Sequence, residues 1–281
     1  MGGLPGSSGV GIARQDEVMS NEQTGSGRHV GRVAIVTGAG SGIGRSVAEL
    51  IVREGGSVVA ADLTDEQLAW CDGVDRVVPA AADVAEEGAN DALVSLAVES
   101  FGGLDAAVLN AGISMSGTIE SLPMEQFDRA VDVNVRAVAL GIRAAAPAMR
   151  DRGGGAIAIT ASTSGQRGDP AMWAYNATKA GVINLARSAA LDLGAEDIRV
   201  NVVCPGPTIT GMTERLQEMP AAYEALRRRT ARQQWATAEE VAAVFGFLVS
   251  AEAAAVTGAV INADGGISAN TGQFLPPERP A

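Results

Sequence analysis

One histidine, one lysine and two cysteines are all this chain holds of three residue types on which much enzyme chemistry depends. With only His29 present, a multi-histidine metal site is excluded, and a Ser-His-Asp triad survives only if His29 itself serves. His29 lies in a polar stretch, so zinc chemistry and conventional serine hydrolysis both read poorly, and no metal site is expected. Cys71 and Cys204 stand far apart without metal-ligand spacing, which suits buried thiols in a reducing cytoplasm better than a disulfide scaffold. Positive charge is also scarce. Against 33 acidic residues the chain sets 21 lysines and arginines, and the net charge of -12 argues against nucleic acid or an anionic membrane as partner. Nor is there a membrane-length apolar run. The longest apolar stretch, residues 242–261, carries Glu252 and two glycines and parses as a buried helix, a turn and a strand.

Glycine and small apolar residues are abundant instead. Thirty-five glycines, only 4% aromatics and 47% hydrophobic residues over 281 positions point to one large Ala/Val-filled core with many tight turns. The first 29 residues are rich in Gly and Ser and lack a signal-type apolar core, so a disordered leader is expected there. A single domain should then span residues 30–270, with an irregular tail over 271–281. From Arg32 onward short Val/Ile/Ala runs alternate with helical patterns. Strands are predicted at 32–37, 57–62, 76–83, 104–110, 155–161, 198–204 and 258–264, and helices near 43–54, 86–101, 124–150, 173–194 and 237–249. Seven apolar strands alternating with helices predict an α/β fold, a doubly wound parallel sheet with helices on both faces. Residues 206–235 interrupt the alternation, are Arg-rich, and read as a substrate lid.

Within WAYNATKAG, residues 173–181, Tyr175 precedes the chain's only lysine, Lys179, by four positions. As an ordinary surface pair this would stabilise a helix by only ~0.2–0.5 kcal/mol. The alternative is electrostatic. A phenol with a pKa of about 10 is a poor proton shuttle at neutral pH, and a nearby ammonium favours the phenolate.

The segment TGAGSGIGR, residues 37–45, follows the first strand and opens the first long helix. Its spacing, Gly38-x-x-x-Gly42-x-Gly44, permits close backbone approach to a pyrophosphate, while the helix N-terminus supplies N–H donors. Asp62 ends the second strand eighteen residues past Gly44, where a carboxylate accepts ribose hydroxyls and repels a 2′-phosphate. Read alone, Asp62 serves equally as an N-cap for the DEQLAW helix. Neither Ser41 nor the residues from Leu63 to Glu66 supply a cation for NADP, so NAD is the expected cofactor.

These residues resemble the short-chain dehydrogenase/reductase family over about residues 30–268. The motifs appear in family order: TGAGSGIG, Asp83-Val84, LNAG at 109–112, Asn134 within DVNV, Ser162, YNATK at 175–179, PGPTIT at 205–210 and NADGG at 262–266. The resemblance implies a Rossmann-type fold and hydride transfer between a nicotinamide cofactor and an alcohol or ketone. It makes Tyr175 the general acid/base, and Lys179 the group that lowers the phenol's pKa and binds the nicotinamide ribose. Ser162 would hold the substrate oxygen, and Asn134 would interrupt its helix and hold a relay water. It assigns the cofactor to Gly38, Ser41, Gly42, Ile43 and Gly44, to Asp62 and Leu63, to Asp83 and Val84, and to Asn110, Ala111 and Gly112. Tyr175 and Lys179 belong to that set, as do Pro205, Gly206, Thr208 and Thr210. The family also implies a homotetramer built on the helices near 124–150 and 173–194.

Two departures are mild: Ala161 precedes Ser162, and Leu109 precedes Asn110. A third bears on substrate. RQQWATAEEVA lacks the Pro-Leu-Gly-Arg run of fatty-acid ketoacyl reductases, which counts against the NADPH-dependent ketoacyl-thioester reductase kept as the alternative. A non-catalytic dinucleotide sensor is the remote third reading, disfavoured because the Ser-Tyr-Lys set is intact. Ser114, Met115, Gln166, Arg167, Met172, Trp173, Met212 and Trp235 are candidate walls for a small alcohol or ketone, with subunit or lid packing the alternative for Met172 and Trp173. The RRRTAR run, residues 227–232, reads as a solvated lid helix or as a greeting for an anion.

Overall fold

Residues buried on both faces of a sheet need no polar alternation, and the strands here run almost uninterrupted in Val, Ile and Ala. In a computed structural model of the protein, which describes residues 27–278, these runs are β1 (Val33–Thr37), β2 (Ser57–Asp62), β3 (Val77–Ala81), β4 (Ala106–Leu109), β5 (Gly155–Thr160) and β6 (Ile198–Pro205). Between them lie α1 (Gly42–Arg53), α2 (Ala89–Phe101), α3 (Met124–Val131), α4 (Ala137–Asp151) and α5 (Trp173–Leu193). After β6 come a two-residue strand β7 (Thr208–Ile209) and two short helices, α6 (Glu214–Gln217) and α7 (Pro220–Arg229). The strand β8 (Ala236–Thr237), helix α8 (Ala238–Leu248) and β9 (Val260–Ala263) complete the order.

The main sheet is seven-stranded and all parallel, in the order β3-β2-β1-β4-β5-β6-β9. Alternate residues of each strand feed two cores. Val33, Ile35, Val59 and Ala61 join Leu93, Val138, Ile142 and Val182 under α2, α4 and α5. Ala34, Val36, Val58 and Ala60 join Val47, Ile51, Val241 and Phe245 under α1 and α8. The strand order reverses between β1 and β4, opening a crevice at their carboxyl ends, where ligands of such sheets bind. The seven strands, and four of the five expected long helices, fall where the sequence places them.

Three features depart from the sequence reading. The expected leader lies outside the described residues except for its last three, and these are packed. His29 is buried, its backbone N–H donates to the Glu54 carbonyl at 3.1 Å, and Arg28 grips the Glu54 carboxylate through two bonds of 2.8 Å. Burial lowers the His29 pKa, so the imidazole beside Glu54 is neutral at pH 7 despite a 3.5 Å approach. The long helix at 124–150 is not one α-helix: residues 132–136 form a π turn joining α3 to α4. Helix α7 starts at Pro220, where a missing N–H costs nothing, and ends at Arg229, so only the first half of the RRRTAR run is helical.

Candidate active site

The carboxyl ends of β1, β2, β4, β5 and β6 bring the glycine loop, Asp62 and the Ser-Tyr-Lys set to one edge of the sheet. The turn from β1 into α1 is tight. Gly38 has φ +66°, and a Cβ on Gly44 would sit 2.0 Å from the Gly38 carbonyl oxygen and 2.5 Å from Asn110 Nδ2. Ser41 occupies the N-cap of α1 without a side-chain capping bond, and the first turn carries no acidic residue. The backbone N–H groups there keep their positive potential for a phosphate, so the cradle fits a dinucleotide. Ile43 is half-buried beside it.

Asp62 is turned back onto this loop. Its carboxylate accepts from the Gly40 N–H at 2.8 Å and from the Leu63 N–H at 2.8 Å. The N-cap alternative is not realised, because the short helix that follows starts after Asp65. Arg45, the cation nearest the loop in sequence, stacks on Trp70 at 5.5 Å and bonds Glu49 at 2.8 Å. Trp70 in turn donates to the Ala39 carbonyl at 2.9 Å, bracing the loop.

The opposite wall is β4 and its extension. Asn110 Nδ2 donates to the Thr37 and Gly38 carbonyls at 3.1 and 3.3 Å, and its Oδ1 accepts from Thr160 Oγ1 at 3.0 Å. The Asn110 and Ala111 N–H groups both donate to Thr37 Oγ1. Thr37 and Thr160 are site-shaping residues given no role by the motif reading; Thr37 opens the glycine motif at the end of β1, and Thr160 ends β5 two residues before Ser162. Asp83 is held at 2.7 Å by Arg129 of α3, which keeps its carboxyl below the usual range, and the Val84 carbonyl accepts from Asn90 at 2.9 Å. Arg129 carried no sequence signal of this contact.

Tyr175 and Lys179 sit one turn apart on α5, both buried. Ser162 follows β5 in extended backbone, accepts the Ser164 N–H at 3.1 Å, and stands near enough to the Tyr175 phenol to draw its pKa down. Lys179 Nζ donates to the Thr160 carbonyl at 2.8 Å and lies 5.8 Å from the centre of the Tyr175 ring. Burial raises the phenol's pKa, against the downward pull of Ser162. Here the structure differs from the sequence reading. The ammonium is aimed at the Thr160 carbonyl and the ring face, so desolvation of the phenol outweighs it. Burial also pushes Lys179 down to about 8.

Asn134 lies wholly buried in the π turn, a feature that gathers at functional sites. Its Oδ1 accepts from the Ile113 N–H at 2.8 Å, and its Nδ2 donates to the Ile113 carbonyl and Thr178 Oγ1 at 2.9 and 3.1 Å. A Cβ on Gly112 would lie 3.1 Å from Asn134 Oδ1 and 3.3 Å from Lys179 Nζ, so both atoms border one small space. On the far side, β6 ends at Pro205, where Gly206 packs on Asp264. Thr208 is buried and donates to the Gly206 carbonyl at 3.0 Å, and the Thr210 methyl comes down over Gly42. The β7–β8 pairing, Thr208 with Ala236, ties this strip to the start of α8.

Of the candidate walls, Trp235 is not one: it is buried, stacked 4.8 Å from Tyr223, and packs against α7. Trp173 stacks 5.1 Å from Phe127 and donates to the Thr118 carbonyl, so its role is packing. Gln166 is tied to Asn262 at 2.6 Å. Cys204, buried behind Ser162, is pushed up to about 11 and stays a thiol. Among the described residues no cluster of His, Cys, Asp or Glu could hold a metal, and no helix is long and apolar enough to cross a membrane.

A family model described as enoyl-(acyl carrier protein) reductase matches residues 38–268. The 2-(R)-hydroxypropyl-CoM dehydrogenase of Xanthobacter autotrophicus is 38% identical over 85% of this chain and 99% of its own. A 3-alpha-(or 20-beta)-hydroxysteroid dehydrogenase of Mycobacterium bovis is 38% identical over 86% of this chain and 91% of its own. The crystal structure of levodione reductase superposes with a TM-score of 0.82 at 35% identity, covering 85% of this chain and 98% of that one. The chain belongs to the short-chain dehydrogenase/reductase family of oxidoreductases.

Proposed function

We propose that the protein is an NAD-dependent oxidoreductase that interconverts a secondary alcohol and its ketone, with Tyr175 as general acid/base. The observation that carries the reading is the joined set Ser162, Tyr175 and Lys179 at the sheet edge that also holds the glycine cradle and Asp62. Bound at that edge, the nicotinamide supplies the hydride acceptor or donor.

The chain's own residues manage the proton. Ser162 orients the substrate oxygen beside the Tyr175 phenol. In oxidation the phenolate takes the hydroxyl proton; in reduction the phenol gives it back. The resting phenol is biased toward its protonated form by burial, so oxidation gains with rising pH. Lys179, charged below about pH 8, holds positive potential under the ring and stands across the Gly112 space from Asn134. A water held there by Asn134 Oδ1 would link Lys179 onward as a proton relay.

Asp62 supports NAD over NADP. Its carboxylate ends β2 beside the glycine loop with both oxygens held by backbone N–H groups, and Arg45 is engaged by Trp70 and Glu49. A 2′-phosphate would meet an anion with no cation beside it. The NADPH-dependent ketoacyl-thioester reductase remains the second reading, favoured by the acyl-carrier description of the matching family model. Initial rates with NAD and NADP, against a panel of secondary alcohols, cyclic diols and hydroxysteroids, separate the two: turnover only with NADP would overturn the Asp62 assignment. We also propose a homotetramer in the cytoplasm. Met124 on α3 and Leu191 on α5 are exposed, Leu191 at 85%, on the helices the family uses for assembly. Light scattering that gave a monomer would contradict it.

A further inference from the structure

The arginines of the lid differ in how they are used. Arg227 bonds Glu224 and the Gln233 carbonyl, Arg228 bonds Gln233 and reaches Glu278, and Arg232 bonds Glu240 at 2.6 Å. Arg229, the last residue of α7, has neither a carboxylate nor a hydrogen-bond acceptor among the described residues. It lines a cavity of about 270 Å³ instead. Thr163, the residue after Ser162, is on its wall, so the cavity begins one residue along the chain from the serine. The tail from Ile267 to Leu275 forms another wall, and the cavity opens to solvent. Arg167 holds that tail in place by donating to the Asn270 and Ser268 carbonyls at 2.8 and 3.2 Å.

Three charged side chains face the cavity: Arg167, Arg229 and Asp169. Asp169 accepts from the Ser164 hydroxyl at 2.6 Å, and Arg167 is occupied by uncharged carbonyls, so neither guanidinium there is paired with an anion. In a chain of net charge -12 such a positive local balance suits an anionic ligand. We propose that this cavity extends the substrate site and that Arg229 seats an oxyanion — carboxylate, sulfonate or phosphate — at the far end of the alcohol or ketone. The proposal rests on the alcohol–ketone reading above for the identity of the reacting end.

The test uses matched pairs of secondary alcohols, from 3-hydroxybutyrate to 7-hydroxyoctanoate, each beside the neutral alcohol with methyl in place of carboxylate. The wild type should prefer the charged member at one chain length by about tenfold in kcat/KM, the scale of one hydrogen bond to a charged group. Arg229→Met should lower that preference about tenfold, and Arg229→Lys should restore part of it. No preference, or a preference that Arg229→Met leaves intact, overturns the proposal. Calorimetric titration of octanoate into the NADH-saturated protein reads the seat without turnover. Tighter binding to the wild type than to Arg229→Met supports the seat even if no alcohol reacts, in which case the activity reading alone has failed. Equal binding, or none to either, sinks the seat.

Discussion

Replacing Lys179 by methionine should make the cofactor-free protein more stable at pH 7 while destroying its activity. Lys179 is 4% exposed, and its Nζ has one partner in the structure, the Thr160 carbonyl at 2.8 Å. Burial moves its pKa from 10.5 to about 8. At ~1.4 kcal/mol per pH unit, carrying the charge costs the folded chain about 3 kcal/mol wherever both folded and unfolded lysines are protonated. Methionine has nearly the same length and buries without charge, but it leaves the Thr160 carbonyl unpaired, at about 1–2 kcal/mol. The net gain is then about 1–2 kcal/mol below pH 8, a rise in Tm of roughly 3–6 °C for a chain of this size. The sign is fixed by linkage. From pH 8 to 10.5 the folded lysine sheds its proton before the unfolded one, the cost shrinks, and above 10.5 the variant should hold no advantage. Thermal or urea unfolding at pH 7 and pH 10, without cofactor and at one protein concentration, reads both parts. A variant less stable than wild type at pH 7, or a difference independent of pH, would refute the reasoning.

Other outcomes follow from the same geometry. Asp62→Ala should narrow the NAD-over-NADP ratio of kcat/KM by about tenfold, through loss of like-charge repulsion and of the carboxylate's ribose contacts; an unchanged ratio would place the discrimination elsewhere. Gly44→Ala puts a methyl 2.0 Å from the Gly38 carbonyl, so cofactor binding by fluorescence titration should be lost and Tm should fall. The buried, neutral His29 must be uncovered to protonate, so folded stability should decline as pH drops below about 6.5. His29→Leu should flatten that slope between pH 7 and 5, and an identical slope in both proteins would show the imidazole to be uninvolved.

Much of the fold was legible because its signals are local. Each strand is a run of Val, Ile and Ala long enough for one crossing, and each glycine of the loop announces a backbone approach that a Cβ would block. The proximity of Tyr175 and Lys179 was legible for a related reason: they share one helix, so sequence spacing is spatial spacing. What escaped depends on contacts between distant segments. Trp235 reads as a wall residue until Tyr223 of the lid stacks on it. His29 reads as leader until Glu54, at the end of α1, closes over it. Arg129 meets Asp83, and the tail meets Arg167, across separations no periodicity records. The balance at Tyr175 was also hidden, because burial and the direction of Nζ are properties of the packed site.

The most direct test compares wild type with Tyr175→Phe, following reduced-nicotinamide absorbance with NAD and the alcohol panel and measuring NADH binding in parallel. Loss of ~10²–10⁴-fold in kcat with NADH affinity retained is the expected result, since only the proton-transferring hydroxyl has gone. Turnover that survives the substitution would contradict Tyr175 as the acid/base.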